Sequence, residues 1–157
     1  MIVVSDTSPL NDLILIDAVE VLPKLFDRIV APPAVVQELQ HLAAPPKVRG
    51  WAQNLPTWLE VVAPQVSDMT LRVGPGEADA IRVAIELNAD AVLMDDRNGR
   101  KAAARRGIQS VSLITVLDLA ALHRLINVAK CVAGLRTTNY RCPTVILDDL
   151  LRRHSGP

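Results

Sequence analysis

Short apolar runs separated by helical segments constrain this chain more than any other feature. Ile2–Ser5, Arg28–Ala31 and Ala91–Met94 are compact runs bounded by turn or helix-start signals, and they read as strands buried in a sheet. Between them lie stretches too long for hairpins and patterned at helical spacing. Ser8-Pro9 supplies an N-cap and a proline suited to a first helical turn. Leu10, Leu13, Ile14, Val21, Leu22 and Leu25 follow at that spacing, with Asp17 as the start of a second short helix. Pro32-Pro33 ends the second strand and opens a helix through Leu42, with Val35, Val36, Leu39 and Leu42 on one face. Residues 47–58 have room for a short helix, and Leu59–Ala63 is a strand between Pro56 and Pro64. Gly74-Pro75-Gly76 reads as a tight turn before a helix from Glu77 to Leu87. A helix from Asp96 to Arg106 stops at Gly107, and Ser110–Ser112 is the last strand. Helices are expected at Leu113–Leu122, 126–135 and 143–153, with Thr137-Thr138-Asn139-Tyr140 as the loop between the last two. This alternation defines an α/β protein whose mostly parallel sheet is covered on both faces. A length of 157 residues fits one domain, with the helices of residues 113–157 available as core or as partner and dimer contacts.

Charge narrows the function. The chain has 17 Lys+Arg and 17 Asp+Glu, which argues against a protein that coats nucleic acid by bulk charge. The balance hides a dipole: residues 1–79 carry 10 acidic and 5 basic side chains, and residues 80–157 carry 7 and 12. Aromatic residues are only 3% of the chain, too few for a base-stacking platform. Cys131 and Cys142 cannot make a disulfide scaffold or a four-cysteine zinc site, and His41, His123 and His154 show no ligand spacing. The first residues lack a basic flank before an apolar run, and Leu13–Ile16 is too short to span a bilayer, so a cytoplasmic protein without a membrane partner is expected.

Two acids stand where strands end: Asp6 after Ile2–Ser5 and Asp95 after Ala91–Met94. Such an acid is ordinarily a turn former or helix cap, but open α/β sheets bind ligands beyond the carboxyl ends of their strands. Glu77, at a helix start, is ordinarily explained by the helix dipole; the glycine turn before it can also aim it at the same edge. Glu38 lies near the border of an apolar helix face. If Asp6, Glu38, Glu77 and Asp95 meet, their repulsion calls for a cation. All-oxygen ligands suit Mg²⁺ or Mn²⁺, and such sites serve metal-assisted attack of water on a phosphodiester. Beside them, Arg97, Arg100, Lys101, Arg105 and Arg106 form a run without an acid. A solvated helix face is the ordinary reading; a phosphate-holding surface is the alternative.

The strings Val4-Ser5-Asp6-Thr7-Ser8-Pro9-Leu10, Pro32-Pro33-Ala34-Val35-Val36-Gln37-Glu38-Leu39, Gly76-Glu77-Ala78-Asp79-Ala80-Ile81 and Leu93-Met94-Asp95-Asp96-Arg97-Asn98-Gly99-Arg100 occur in this order. Together they resemble the PIN-domain family, and within it a prokaryotic branch of VapC-like proteins. The resemblance spans nearly the whole chain and is best over residues 2–107. It implies an α/β/α sandwich and a metal-dependent endoribonuclease acting on single-stranded or structured RNA, in many members a toxin restrained by a small antitoxin. Asp6, Glu38, Glu77 and Asp95 would then be the catalytic metal ligands. Thr7 and Ser8 would help place the site, and Arg97, Arg100 and Lys101 would contact substrate. Two departures leave alternatives open. Asp79 lies near Glu77, which the glycine turn favours, and Asp96 follows Asp95 where the family more usually has Thr or Ser before a single Asp.

Two rival readings remain at this level. Asp6-Thr7-Ser8 could be an aspartyl nucleophile for phosphoryl transfer, but the second acid such enzymes place two residues on is Ser8 here. A non-catalytic module binding RNA or protein through the basic helix is the other.

Overall fold

A computed structural model describes residues 1–66 and 70–155. Its strands are β1 (Ile2–Ser5), β2 (Arg28–Ala31), β3 (Leu59–Val61), β4 (Ala91–Leu93) and β5 (Ser110–Val111). They form one sheet in the order β3-β2-β1-β4-β5, and every pairing is parallel. Central strand β1 sets Val4 against Val30 on one side and Val92 on the other. Its successive residues point to opposite faces, and both faces are covered: Val3 joins one apolar cluster and Val4 the other.

Helices α1 (Thr7–Leu15), α2 (Leu22–Leu25), α3 (Pro33–Gln40) and α4 (Pro46–Gln53) precede α5 (Pro75–Glu86) and α6 (Arg97–Arg105). Then come α7 (Leu113–Leu122), α8 (Val128–Leu135) and α9 (Thr144–His154). The larger cluster packs Leu10, Leu13, Leu39, Leu117, Leu135 and Leu150 on one face of the sheet. The smaller one packs Ile81, Ala84 and Ala103 from α5 and α6 on the other, with Met94. This is the α/β/α sandwich, and the C-terminal helices contribute to its core.

Local departures have local causes. The helix expected through Leu42 ends at Gln40, because His41 is extended (φ −61, ψ 146) and its Nδ1 accepts the Ala43 N–H at 2.9 Å. Leu42 is therefore left 84% exposed. Asp17 starts no helix: its φ is +58, and the chain turns there into a single 3₁₀ turn at Val19–Val21. Gly74-Pro75-Gly76 is the start of α5 itself, with Gly74 as N-cap and Pro75 in the first turn. Gly107 (φ +74) follows α6 in the left-handed conformation that favours glycine at helix ends, as expected.

Leu10 is fully buried directly behind the end of β1. Leu10→Ala is expected to cost about 2–5 kcal/mol, whereas Leu42→Ala should change stability by less than about 0.5 kcal/mol. Urea unfolding of the two variants checks this.

Candidate active site at the switch point of the sheet

Strands run outward from β1 in both directions, β2 and β3 to one side and β4 and β5 to the other. The crevice between the carboxyl ends of β1 and β4 is thus the point where such sheets bind ligands. Asp6 stands there, and its backbone N–H donates to Leu93 O at 2.9 Å, tying the two strand ends together.

Asp6 occupies the N-cap position of α1, yet its side chain makes no capping hydrogen bond. It is 4% exposed. Burial pushes its carboxyl up to about 7, opposed by the Thr7 backbone N–H and reinforced by the charges of Glu77, Glu38 and Asp96. The charges that bear most on it are those three carboxylates. Glu38 reaches this point from α3: its Oε2 accepts from Thr7 Oγ1, and its Oε1 accepts the Gly76 N–H at 3.1 Å. A Cβ on Gly76 would lie 2.7 and 2.8 Å from the two Glu38 oxygens, so glycine is needed for this close approach. Glu77, one residue on, is raised by burial, then by Asp96 and Glu38, while the Gly74 backbone N–H counters the shift. Its Oε2 lies 3.3 Å from where a Gly99 Cβ would stand, against α6.

The open alternatives separate by geometry. Asp79 pairs with Arg82 at 2.8 Å and is not among the charges acting on Asp6. Asp96 caps α6, accepting from Gly99 N at 2.8 Å, and is the member of the Asp95–Asp96 pair whose charge reaches Asp6 and Glu77. Asp95 turns the other way: its Oδ1 accepts the Leu113 N–H of α7 at 3.0 Å, while its Oδ2 is buried without a hydrogen-bond partner. Burial raises Asp95, and the Leu113 N–H and Arg100 lower it.

Asp95 faces two groups that the sequence does not mark as functional. Asp12 of α1 is buried, and burial pushes it up to about 6, against the Asn11 amide and with Asp95 adding to the rise. The Tyr140 phenol is pushed upward by burial and by Asp95, Cys142 and Asp12. The polar pair Asn11-Asp12 between Leu10 and Leu13 is the local signal for Asp12; Tyr140 lies in a loop and has none. These residues line a cavity of about 540 Å³ together with Thr7, Ser8, Arg97 and Arg141. A smaller cavity, about 310 Å³, lies between Asp95 and Arg97, Arg100 and Lys101. The expected substrate-contacting cations therefore open onto space beside the acids.

Among the described residues no three His, Cys, Asp or Glu side chains stand as a ready ligand group for a metal ion. The donor set nevertheless suits a hard divalent cation. It is all oxygen, three carboxylates bear on Asp6, and Asp95 Oδ2 is left unpartnered.

The fold is an α/β/α sandwich with an acid-lined crevice at the switch point of its parallel sheet. The family model described as DUF3368, a PIN domain, matches residues 2–156, and the chain belongs to that family. PIN domains are generally nucleases, and those nucleases generally use divalent metals. No curated protein matches the chain. Among solved structures it is similar to a PilT N-terminus domain protein of the hyperthermophilic archaeon Sulfolobus solfataricus, with a TM-score of 0.53 and 21% identity. The alignment covers 76% of this chain and 93% of that one. That likeness supports the fold. Among the described residues no helix is long and apolar enough to cross a membrane.

Two outcomes are expected. Asp6 and Asp12 bind protons more tightly in the folded chain than in the unfolded one, so their contribution to stability falls as pH rises from 3.8 through about 7. Asp6→Asn should flatten that slope and raise the urea midpoint at pH 8; an unchanged slope would contradict the assignment. Gly76→Ala should lower thermal stability by roughly 1–3 kcal/mol through overpacking against Glu38, and Gly76→Ala/Glu38→Ala should recover part of the loss.

Proposed function

We propose that this protein is a divalent-metal-dependent endoribonuclease. One observation carries the reading: a buried aspartate at the sheet's switch point on which three further acids bear. Asp6, Glu38, Glu77 and the Asp95–Asp96 pair would hold Mg²⁺ or Mn²⁺. Asp96 is the member of the pair whose charge bears on Asp6, and Asp95 offers its unpartnered oxygen to a second position. A bound ion supplies a water of lowered pKa and neutralises charge on the phosphate.

The chain's own residues do the rest. Thr7 and Gly76 hold Glu38 by both carboxylate oxygens, which fixes its direction. Ser8 and Arg97 line the cavity beside the acids, and Arg100 and Lys101 extend the positive edge. Arginine forks grip phosphate oxygens, so this edge orients an RNA strand across the carboxylates. The same reading includes the role of toxin in a pair with a small antitoxin, and a homodimer. Exposed Leu122, Val145 and Ile146 on the C-terminal helices support an apolar partner surface.

Single-stranded RNA incubated with Mn²⁺ should be cut by the wild type and not in the presence of a chelator. Asp6→Asn and Glu38→Gln should lose at least about 100-fold in rate, on the order expected when metal ligation fails. Mn²⁺ should also raise the melting temperature of the wild type and leave that of Asp6→Asn unchanged, since only a folded site binds it. Equal cleavage by wild type and Asp6→Asn would sink the proposal; RNA binding without cleavage by either would favour a binding module.

A further inference from the structure

Helix α6 does not present its cations as one stripe. Arg97, Arg100 and Lys101 border the cavity next to Asp95. Asn98, Lys101 and Arg105 border a different cavity, about 500 Å³, whose opposite wall is residues 70–73 with Arg72. Arg106 also lines it, and its Nη2 donates to Thr70 Oγ1 across the pocket.

We propose that this second pocket seats a phosphodiester of the RNA strand one or more nucleotides away from the bond that is cut. The ligand class follows from the lining. Arg72, Lys101 and Arg105 supply charge, Asn98 and Thr70 supply neutral donors, and the described lining holds no acid. Among the described lining residues no aromatic ring is present to stack a base. A pocket of guanidinium and ammonium groups without an acid or an aromatic ring takes an anion, and planar guanidinium forks suit phosphate oxygens. Its place in the fold supplies the source of that phosphate. Residues 70–73 run directly into Gly74, the N-cap of the helix that carries Glu77. Asn98 lies in the first turn after Asp96, and Gly99 packs on Glu77. The two chain segments that wall the pocket are therefore the ones that deliver two of the acids. A strand gripped here continues onto the acid cluster, and the Arg97 edge receives it on the far side of α6.

The identity of the ligand as RNA rests on the proposed function; the anionic character of the pocket does not. The test is fluorescence anisotropy with a labelled single-stranded RNA bearing a 5′-hydroxyl, in chelator, for full-length wild type, Arg72→Ala, Arg105→Ala and the double variant. Lys24→Ala, an exposed cation on α2, is the control. Circular dichroism and melting temperature establish that each variant is folded. Each pocket variant should raise Kd by about 3- to 10-fold, and the double variant should reduce the salt slope by roughly 0.7 per lost phosphate contact. Lys24→Ala should bind as wild type. Pocket variants that bind like the wild type overturn the proposal. So does a wild-type preference for 5′-phosphorylated RNA that vanishes in the variants, because the pocket would then read a strand end. Binding that depends on the pocket in a protein inert with Mn²⁺ would leave the pocket standing and remove the nuclease reading. Cleavage by a protein whose binding ignores the pocket would do the reverse.

Discussion

Everything in this molecule depends on the burial of β1 on both faces. Val3 and Val4 point to opposite sides, and each is sealed into a separate apolar cluster. A strand held that way cannot shift by one residue without exchanging its two faces, so its register is strongly specified. Parallel neighbours on both sides then force the chain to cross the sheet in two directions, which opens the crevice at the end of β1. Asp6 is the first residue past that end. Its burial is a consequence of the register, and the raised proton affinity is a consequence of the burial.

Around the switch point, the acids and the cations of α6 stand largely apart. The acids act on one another: burial and then Asp96 and Glu38 raise Glu77, and Glu77, Glu38 and Asp96 bear on Asp6. The cations of α6 open instead onto cavities at its flanks, with Arg100 reaching Asp95. Had the α6 arginines paired with these acids, the crevice would carry no excess negative charge. The fold keeps them apart, and the result is an acidic crevice with positive edges, an arrangement suited to a cation and a phosphate strand together.

Much of the candidate site was legible because its residues stand out locally. Asp6 follows a β-branched run, Glu77 opens a helix, and Glu38 borders an apolar helix face. The adjacent acids were not separable by that route. Which of Asp95 and Asp96 turns toward Asp6 depends on where the Leu113 N–H stands, and α7 begins only after another helix and strand. Glycine was misread in kind: Gly76 serves the approach of Glu38 across the fold, and the Gly74-Pro75 start belongs to the helix. Asp12 and Tyr140 escaped because their meeting with Asp95 brings together α1, the end of β4 and the loop before α9.

The sequence by itself determined the alternation of strands and helices, the parallel sandwich, and the four acid-bearing motifs in order, because each rests on periodicity or on neighbours within a turn. Only the tertiary structure decided which acids face one another, that Asp79 is spent on Arg82, and that the basic helix serves two cavities. Those outcomes are set by side-chain directions at helix starts and by contacts between segments far apart in the chain. Local pattern carries no record of either.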